Sequence, residues 1–251
     1  MDKQKEFTMQ NQKVDQVTRK NISTFIQFTK IGPGVTRQEI EEHLELCKEY
    51  NFQAAMIAPC WIPLAHDILK GTDVKIASYI DFGMGNASIQ GKVGQLQSLR
   101  EEGVDEVDYA PNMGFLLSGM VGEFEKEARE LVRAAGQVQL KAMLQMGMIG
   151  NENKKASAIR ILEDAGVNWI KNSSGGWPPG ATNASVEDIS FIKKTIKGKS
   201  RIKASGGIKT FDQAVALINA GAELLGTSSG IKIVGDLDHQ SSDDHSISSQ
   251  Y

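Results

Sequence analysis

Apolar and polar residues follow two recurring patterns along the chain. Eight short apolar runs, each bounded by Gly, Pro or polar residues, are typical of buried parallel strands. These runs are residues 23–28, 54–58, 74–82, 106–109, 138–144, 168–171, 201–204 and 223–227. Amphipathic segments separate them, with apolar residues at helical spacing, as at Ile89, Val93, Leu96 and Leu99. The pattern predicts alternating strands and helices.

Three of the helical segments end in the same way. Gly103, Gly166 and Gly221 each follow a helical pattern, at a position where a left-handed cap favours glycine, and a strand-like run comes next. Eight strands and about eight helices predict an α/β fold, a single-domain (β/α)8 TIM barrel. A doubly wound open sheet is the alternative. The segment TKIGPGVT after the first strand lacks the glycine spacing of a dinucleotide-binding turn.

The two ends differ from the repeating middle. Residues 1–22 are polar and predict a short helix over about residues 15–21, without the apolar region of a secretory signal. Residues 23–235 form the predicted barrel. Residues 236–251 are rich in Ser and Asp and predict a flexible tail. Its final residue, Tyr251, either stays unstructured or folds back and offers its phenol to a substrate.

Composition narrows the class of protein. Hydrophobic residues make up 40% and charged residues 24%, which is ordinary globular usage and excludes a disordered chain. A net charge of -3 predicts no nucleic-acid partner, and the short apolar runs predict no membrane span. Cys47 and Cys60 are too few for a disulfide framework and predict a cytoplasmic location. The four histidines show no metal-ligand spacing, so we expect no structural zinc site.

Four ionisable residues lie in predicted strands, where an unpaired charge is costly to bury. They are Asp108 in the fourth strand, Lys141 in the fifth, Lys171 in the sixth and Lys203 in the seventh. A lysine that extends its amine to solvent at a strand end explains Lys171 or Lys203 taken singly, and Asp108 taken singly fits a neutralising ion-pair partner. Lys171 and Lys203, on adjacent strands, also fit a cationic pair that yields a nucleophilic amine. Asp108 would then pair with them or carry a proton, and Lys141 would be a third inward cation.

Gly- and Ser-rich turns follow the last three predicted strands, at residues 173–176, 205–207 and 226–230. Glycine lets the backbone approach an anion, and TIM barrels frequently bind phosphate in the loops after strands seven and eight. The turns therefore fit either a phosphate site or ordinary connections between strands and helices.

Taken together, these residues resemble the deoxyribose-phosphate aldolase family, class I Schiff-base aldolases with a TIM barrel fold. The resemblance runs from about Ser23 to Gly235 and rests on EVDYAPNMG, WIKNSSG followed by GAT, IKASGGIKT and GTSSGIKIV, in that order. It implies reversible cleavage of 2-deoxy-D-ribose 5-phosphate to D-glyceraldehyde 3-phosphate and acetaldehyde without a metal or cofactor. It also implies a phosphorylated sugar as partner and a possible homodimer.

The resemblance also implies a role for each site residue. Lys171 would form the Schiff base, Lys203 would help to keep that amine uncharged, and Asp108 would join Lys203 in proton transfer. The pocket would be lined by Thr29, Lys141 and Ser173. The remaining residues would bind the substrate phosphate: Gly175, Gly206, Gly207, Ser228 and Ser229.

The sequence departs from the family pattern at four places. Gln27-Phe28-Thr29 stands for the usual Asp-His-Thr, and Gln145-Met146-Gly147 for Glu-Thr-Gly. Asn172 to Gly175 replace Thr-Ser-Thr-Gly, and Asp81-Phe82-Gly83 replace Gly-Phe-Pro. Two acids have become amides, which keep hydrogen-bonding capacity but lose charge. These changes leave two alternatives: a related Schiff-base lyase or thiolase-like barrel enzyme on another phosphosugar, and a non-catalytic phosphosugar-binding barrel.

Overall fold

The computed structural model describes residues 17–175 and 178–235 and consists of a closed barrel of eight parallel strands in sequence order. The strands are β1 Ile26–Lys30, β2 Ala54–Ile57, β3 Lys75–Ile80, β4 Glu106–Tyr109, β5 Gln139–Met143, β6 Trp169–Lys171, β7 Arg201–Ser205 and β8 Leu224–Thr227. Each strand pairs with the next, and β8 pairs with β1. The predicted TIM barrel is confirmed.

Helices follow the strands in the described part of the chain. They are α1 Arg37–Glu49, α2 Ile62–Leu69, α3 Ile89–Glu101, α4 Met113–Leu117, α5 Val121–Ala135, α6 Glu152–Asp164, α7 Val186–Thr195, α8 Phe211–Asn219 and α9 Gly230–Val234. Thr36 and Thr210 form capping boxes at the starts of α1 and α8. Gly103, Gly166 and Gly221 have φ of 82°, 93° and 119°, as their predicted capping positions require.

The predicted and observed strand ends differ by no more than one residue except in β1 and β3. The first strand begins at Ile26 because Ile22–Phe25 form a 3-10 turn. The third strand ends at Ile80 because Asp81 takes φ of 45°, which turns the chain. Of the helix expected over residues 15–21, residues 19–21 form a turn and no helix. The Asn21 and Ile22 amides donate to the Thr18 carbonyl oxygen, and the Asn21 side chain accepts hydrogen bonds from Thr18. Residues 15 and 16, residues 1–14 and the predicted tail with Tyr251 lie outside the described residues.

The apolar core lies mainly between the strands and the helices. Outward-facing residues such as Val107, Leu140, Ile170 and Ile202 are buried in one continuous cluster with the helices. A separate small cluster inside the barrel contains Ala54, Met56 and Ala77. Polar and charged groups share the barrel interior with this cluster.

A buried ion pair outside the barrel connects helices to loops. Lys92 of α3 donates to Glu127 of α5 at 2.6 Å and to the carbonyl oxygens of Gly85 and Ala110 at 2.9 and 2.8 Å. Both charged side chains are buried, and Asp81 Oδ2 lies 3.4 Å from the same amine. The Lys92 ammonium therefore joins the loops after β3 and β4 at the end of the barrel that carries the strand C-termini.

We predict that Glu127→Ala lowers the free energy of unfolding by about 3–5 kcal/mol, because it leaves the Lys92 ammonium buried without its closest anion. Glu123→Ala, at an exposed position of the same helix, serves as the control and should change it by less than about 1 kcal/mol. Urea unfolding of both variants measures the difference. Equal effects of the two substitutions would contradict the role given to this ion pair.

Candidate active site

The strand register brings the four ionisable strand residues together. Asp108 is paired with Lys141, and Lys171 with Lys203, across neighbouring strands. Alternate residues of a strand point to opposite faces, and the apolar neighbours of these four face the helices. All four charged side chains consequently point into the barrel, where they are almost completely buried. A lysine extending to solvent, the alternative for Lys171 or Lys203 taken singly, does not occur.

Asp108 lies at the centre of this cluster. Its Oδ2 accepts hydrogen bonds from Lys171 Nζ at 2.8 Å and from Lys203 Nζ at 2.7 Å. Lys141 Nζ lies 3.4 Å from Oδ1, the other carboxylate oxygen. Oδ1 accepts no hydrogen bond from the described residues. One carboxylate thus faces three amines, and two of them donate to the same oxygen.

The charge states of this cluster are set by opposing effects. Burial raises the pKa of Asp108, but the charges of Lys171, Lys203 and Lys141 outweigh burial and hold that pKa well below its ordinary range. Burial lowers the pKa of Lys203 to about 7; Asp108 opposes this change, and Lys171 and Lys141 add to it. Asp108 is therefore ionised at neutral pH, and Lys203 exchanges its proton in the same pH range.

A second set of polar residues lies one layer deeper and was not predicted as part of the site. Glu106 Oε2 lies 2.7 Å from Lys141 Nζ, and its Oε1 accepts from Lys75 at 3.0 Å. Burial raises the pKa of Glu106, but chiefly the charge and hydrogen bond of Lys141 lower it to about 2. Glu106 precedes Asp108 by two residues in the same strand, so strand alternation was a signal that could have found it.

Gln27 connects the two layers. Lys203 Nζ donates to Gln27 Oε1 at 2.5 Å, while Gln27 Nε2 donates to Glu106 Oε2 at 2.7 Å and to Gln53 Oε1 at 2.8 Å. Gln53 in turn donates to Glu106 Oε1 at 2.8 Å. The polar network therefore runs without interruption from Lys203 to Glu106.

Of the predicted pocket residues, Lys141 belongs to the charged cluster, and Thr29 and Ser173 lie at its edge. Thr29 is two residues after Gln27 on β1, and its hydroxyl donates to the Gln27 carbonyl oxygen at 3.2 Å. Ser173, two residues after Lys171, is buried and donates to Gln145 Oε1 at 3.3 Å. Gln145 also donates to Ser174 Oγ at 2.7 Å and adopts φ of 51°, an uncommon conformation for glutamine. Gln145 thus holds the loop after β6.

The Gly-rich loops after β6 and β7 touch each other. A Cβ atom added to Gly206 would lie 2.9 Å from the Gly175 Cα atom, and one added to Gly207 would lie 2.6 Å from Asn183 Cγ. Ser228 and Ser229 follow β8, and the Ser229 amide donates to Thr227 Oγ1 at 2.9 Å. The five residues predicted to bind phosphate are therefore on three loops at the strand ends above Lys171 and Lys203.

Three further features of the described residues concern metal binding, membrane spans and Asp81. They contain no group of three or more His, Cys, Asp or Glu side chains that could hold a metal ion. None of their helices is both long and apolar enough to cross a membrane. Asp81, the acid that departs from the family pattern, accepts from the Ala87 amide at 2.9 Å and lies beside Lys92. Its carboxylate therefore belongs to the Lys92 ion pair.

Comparison with known proteins supports the resemblance. A deoxyribose-phosphate aldolase from Caldanaerobacter subterraneus subsp. tengcongensis is 36% identical over 217 residues, covering 85% of this chain and 92% of that protein. The chain belongs to the deoxyribose-phosphate aldolase family. No protein-family model matches the chain.

Solved structures agree with this assignment. A protein from Coccidioides immitis superposes with a TM-score of 0.82 at 26% identity, covering 91% of this chain and 94% of the other. The tetrameric deoxyribose phosphate aldolase of Aeropyrum pernix superposes with a TM-score of 0.78 at 23% identity, covering 89% and 94%, and supports the fold alone.

Two departures from the aldolase family pattern lie in this site. Gln27 and Gln145 are both buried amides that use their oxygen as an acceptor and their nitrogen as a donor. A carboxylate offers acceptors only, so the acid usual in the family cannot make the same set of contacts in its ionised form. The two amides therefore belong to the site of this particular aldolase sequence.

Proposed function

We propose that this protein is a deoxyribose-phosphate aldolase, which cleaves 2-deoxy-D-ribose 5-phosphate reversibly to D-glyceraldehyde 3-phosphate and acetaldehyde. The observation that carries the proposal is the hydrogen bonding of Lys171 and Lys203 to the same oxygen of Asp108. One carboxylate balances only one ammonium, so a second buried amine beside it favours its neutral, nucleophilic form. Family membership supports the substrate.

Lys171 is the better candidate for the nucleophile. It is the last residue of β6, directly before the loop at residues 172–175, and its amine donates to Asp108. Lys203 lies two residues before the end of β7 and donates to both Gln27 and Asp108. A proton passed from Lys171 to Lys203 across Asp108 Oδ2 leaves Lys171 as a free amine nearer the substrate.

The carbon–carbon cleavage then follows from the Schiff base. The Lys171 amine attacks the C1 aldehyde of the open-chain sugar and, after loss of water, forms an iminium ion. When the C3 hydroxyl loses its proton, the C2–C3 bond breaks, and its electron pair moves into the iminium to give an enamine. Asp108 and Lys203 act in proton transfer, directly or through a water molecule. Protonation of the enamine at C2 and hydrolysis release acetaldehyde and the free lysine.

The remaining predicted residues bind and orient the sugar in this proposal. The backbone amides of Gly175, Gly206 and Gly207 and the serines Ser228 and Ser229 would hold the 5-phosphate, while Thr29, Lys141 and Ser173 line the pocket. Anchoring the phosphate fixes the distance from C1 to the lysine and lowers the entropic cost of the reaction. The cytoplasmic location and the homodimer expected from the sequence stay predictions.

The first prediction concerns cleavage itself. The wild-type protein should produce D-glyceraldehyde 3-phosphate from deoxyribose 5-phosphate, measured by a coupled reduction of the triose. Lys171→Met should abolish detectable turnover, because no other amine takes the nucleophile's position. Lys203→Met should lower kcat by about 10²–10⁴-fold, the usual contribution of proton transfer.

Lys199→Met is the matched control, because Lys199 is exposed and precedes β7 at the opposite end of the barrel. It should retain wild-type turnover. A folded wild-type protein that releases no triose would overturn this substrate and lead to a screen of other phosphosugars. Saturable binding without any turnover would favour the binding-barrel alternative.

The second prediction concerns the phosphate. Gly206→Ala should raise KM for deoxyribose 5-phosphate by about tenfold or more, because the new methyl group meets the Gly175 backbone and separates the two loops. KM for unphosphorylated deoxyribose should change much less. Gly94→Ala is the control, since that glycine lies on exposed α3 with nothing near its added Cβ. Parallel losses on both sugars would contradict a phosphate site at these loops.

A further inference from the structure

The amide of Gln27 has a fixed orientation. Its side chain is completely buried and its oxygen faces the Lys203 amine, which donates to it, while its nitrogen faces Glu106, whose carboxylate only accepts. Gln53 Oε1 takes the second amide hydrogen of Gln27 at 2.8 Å. Both polar atoms of the Gln27 amide therefore have a partner of the correct type. In a flipped amide, the nitrogen would face the Lys203 amine and the oxygen would face the Glu106 carboxylate.

A carboxylate at this position would change the charge around Lys203. The charged groups that face Lys203 are Asp108 on β4 and the ammonium groups of Lys141 on β5 and Lys171 on β6. On β1 it meets the neutral Gln27, and Leu224 is its paired residue on β8. An acid at position 27 would add a second anion beside Lys203 and would also lie against the Glu106 carboxylate, which Gln27 now approaches at 2.7 Å.

We propose that Gln27 is a positioning residue of the aldolase reaction: its neutral amide holds Lys203 against the carboxylate of Asp108 and separates Lys203 from the charge of Glu106. The inference rests on the proposed function for its part in catalysis. The arrangement keeps Lys203 with one anion, Asp108, which it shares with Lys171, so a proton can move between the two lysines. With a second anion beside it, Lys203 would stay an ammonium ion at neutral pH.

The test is the titration of Lys203 in two variants of Gln27. One variant adds a negative charge at this position, and the other removes the hydrogen-bond acceptor. Lysine labelled with ¹³C at Cε gives an NMR signal for Lys203, assigned by its absence in Lys203→Met. In Gln27→Glu the midpoint should rise by about one to three pH units, because an anion now adjoins the amine. In Gln27→Met the midpoint should fall, because the acceptor for the ammonium is lost.

A charge-conserving double variant guards against misfolding of Gln27→Glu. Gln27→Glu/Glu106→Gln keeps the number of carboxylates and exchanges donor and acceptor in the hydrogen bond between the two positions. Its Lys203 midpoint should also rise, with thermal melting used to verify a cooperative fold. Midpoints that stay within about 0.3 of a pH unit of the wild type in the Glu and Met variants, or that move in the same direction, would overturn the proposal.

Activity gives an independent readout. In the wild type, kcat/KM should fall on the acid side of neutral pH as Lys203 becomes protonated. In Gln27→Glu this acid limb should move to higher pH, with KM at the pH optimum changed less than twofold. A residue that only filled space would lower the rate at all pH values without moving the limb. The NMR titration needs no substrate, so it tests the charge effect of Gln27 independently of cleavage. Failure to cleave deoxyribose 5-phosphate would overturn the proposed function, whereas unchanged Lys203 midpoints would overturn the role of Gln27.

Discussion

The site depends on one carboxylate oxygen that serves two lysines in a barrel interior from which water is largely excluded. Asp108 Oδ2 accepts from Lys171 and Lys203 at 2.8 and 2.7 Å, and Lys141 adds a third positive charge nearby. Glu106 balances Lys141 at 2.7 Å, which leaves Asp108 with the two other lysines. One negative charge cannot stabilise two buried ammonium ions, and burial lowers the pKa of Lys203 to about 7, so one proton is lost near neutral pH. Under the proposed function, the reactive amine arises because Lys171 and Lys203 share the single charge of Asp108.

The barrel makes this ratio possible because its strand register determines which side chains meet. Asp108 is paired with Lys141 and Lys171 with Lys203, and Asp108 Oδ2 accepts from the last two lysines. Below them, Glu106, Gln27 and Gln53 form a fully hydrogen-bonded layer that compensates Lys141 and Lys75. Above them, the contact between Gly175 and Gly206 shapes the proposed phosphate loops. Under the proposed function, the deepest layer compensates charge, the middle layer forms the Schiff base and the outermost layer anchors the substrate.

Much of this arrangement could be predicted from the sequence. The eight apolar runs and the glycines after three helices predict the barrel, and lysines in buried strands predict the Schiff-base site. Two kinds of feature could not be predicted. The orientation of the Gln27 and Gln145 amides depends on partners more than 25 residues away, so no local pattern records it. The Lys92–Glu127 ion pair joins two helices whose packing follows only from the closed barrel. The β1 start was misplaced because residues 22–25 are as apolar as a strand yet form a 3-10 turn.

The most direct measurement of the central claim is the location of the covalent adduct. The protein is incubated with deoxyribose 5-phosphate and sodium borohydride, which reduces an iminium ion to a stable amine, and peptide mass spectrometry locates the added mass. The account predicts an adduct on Lys171, absent in Lys171→Ala and strongly diminished in Asp108→Asn. A principal adduct on Lys203 or Lys141, or no adduct on the folded protein, would contradict it.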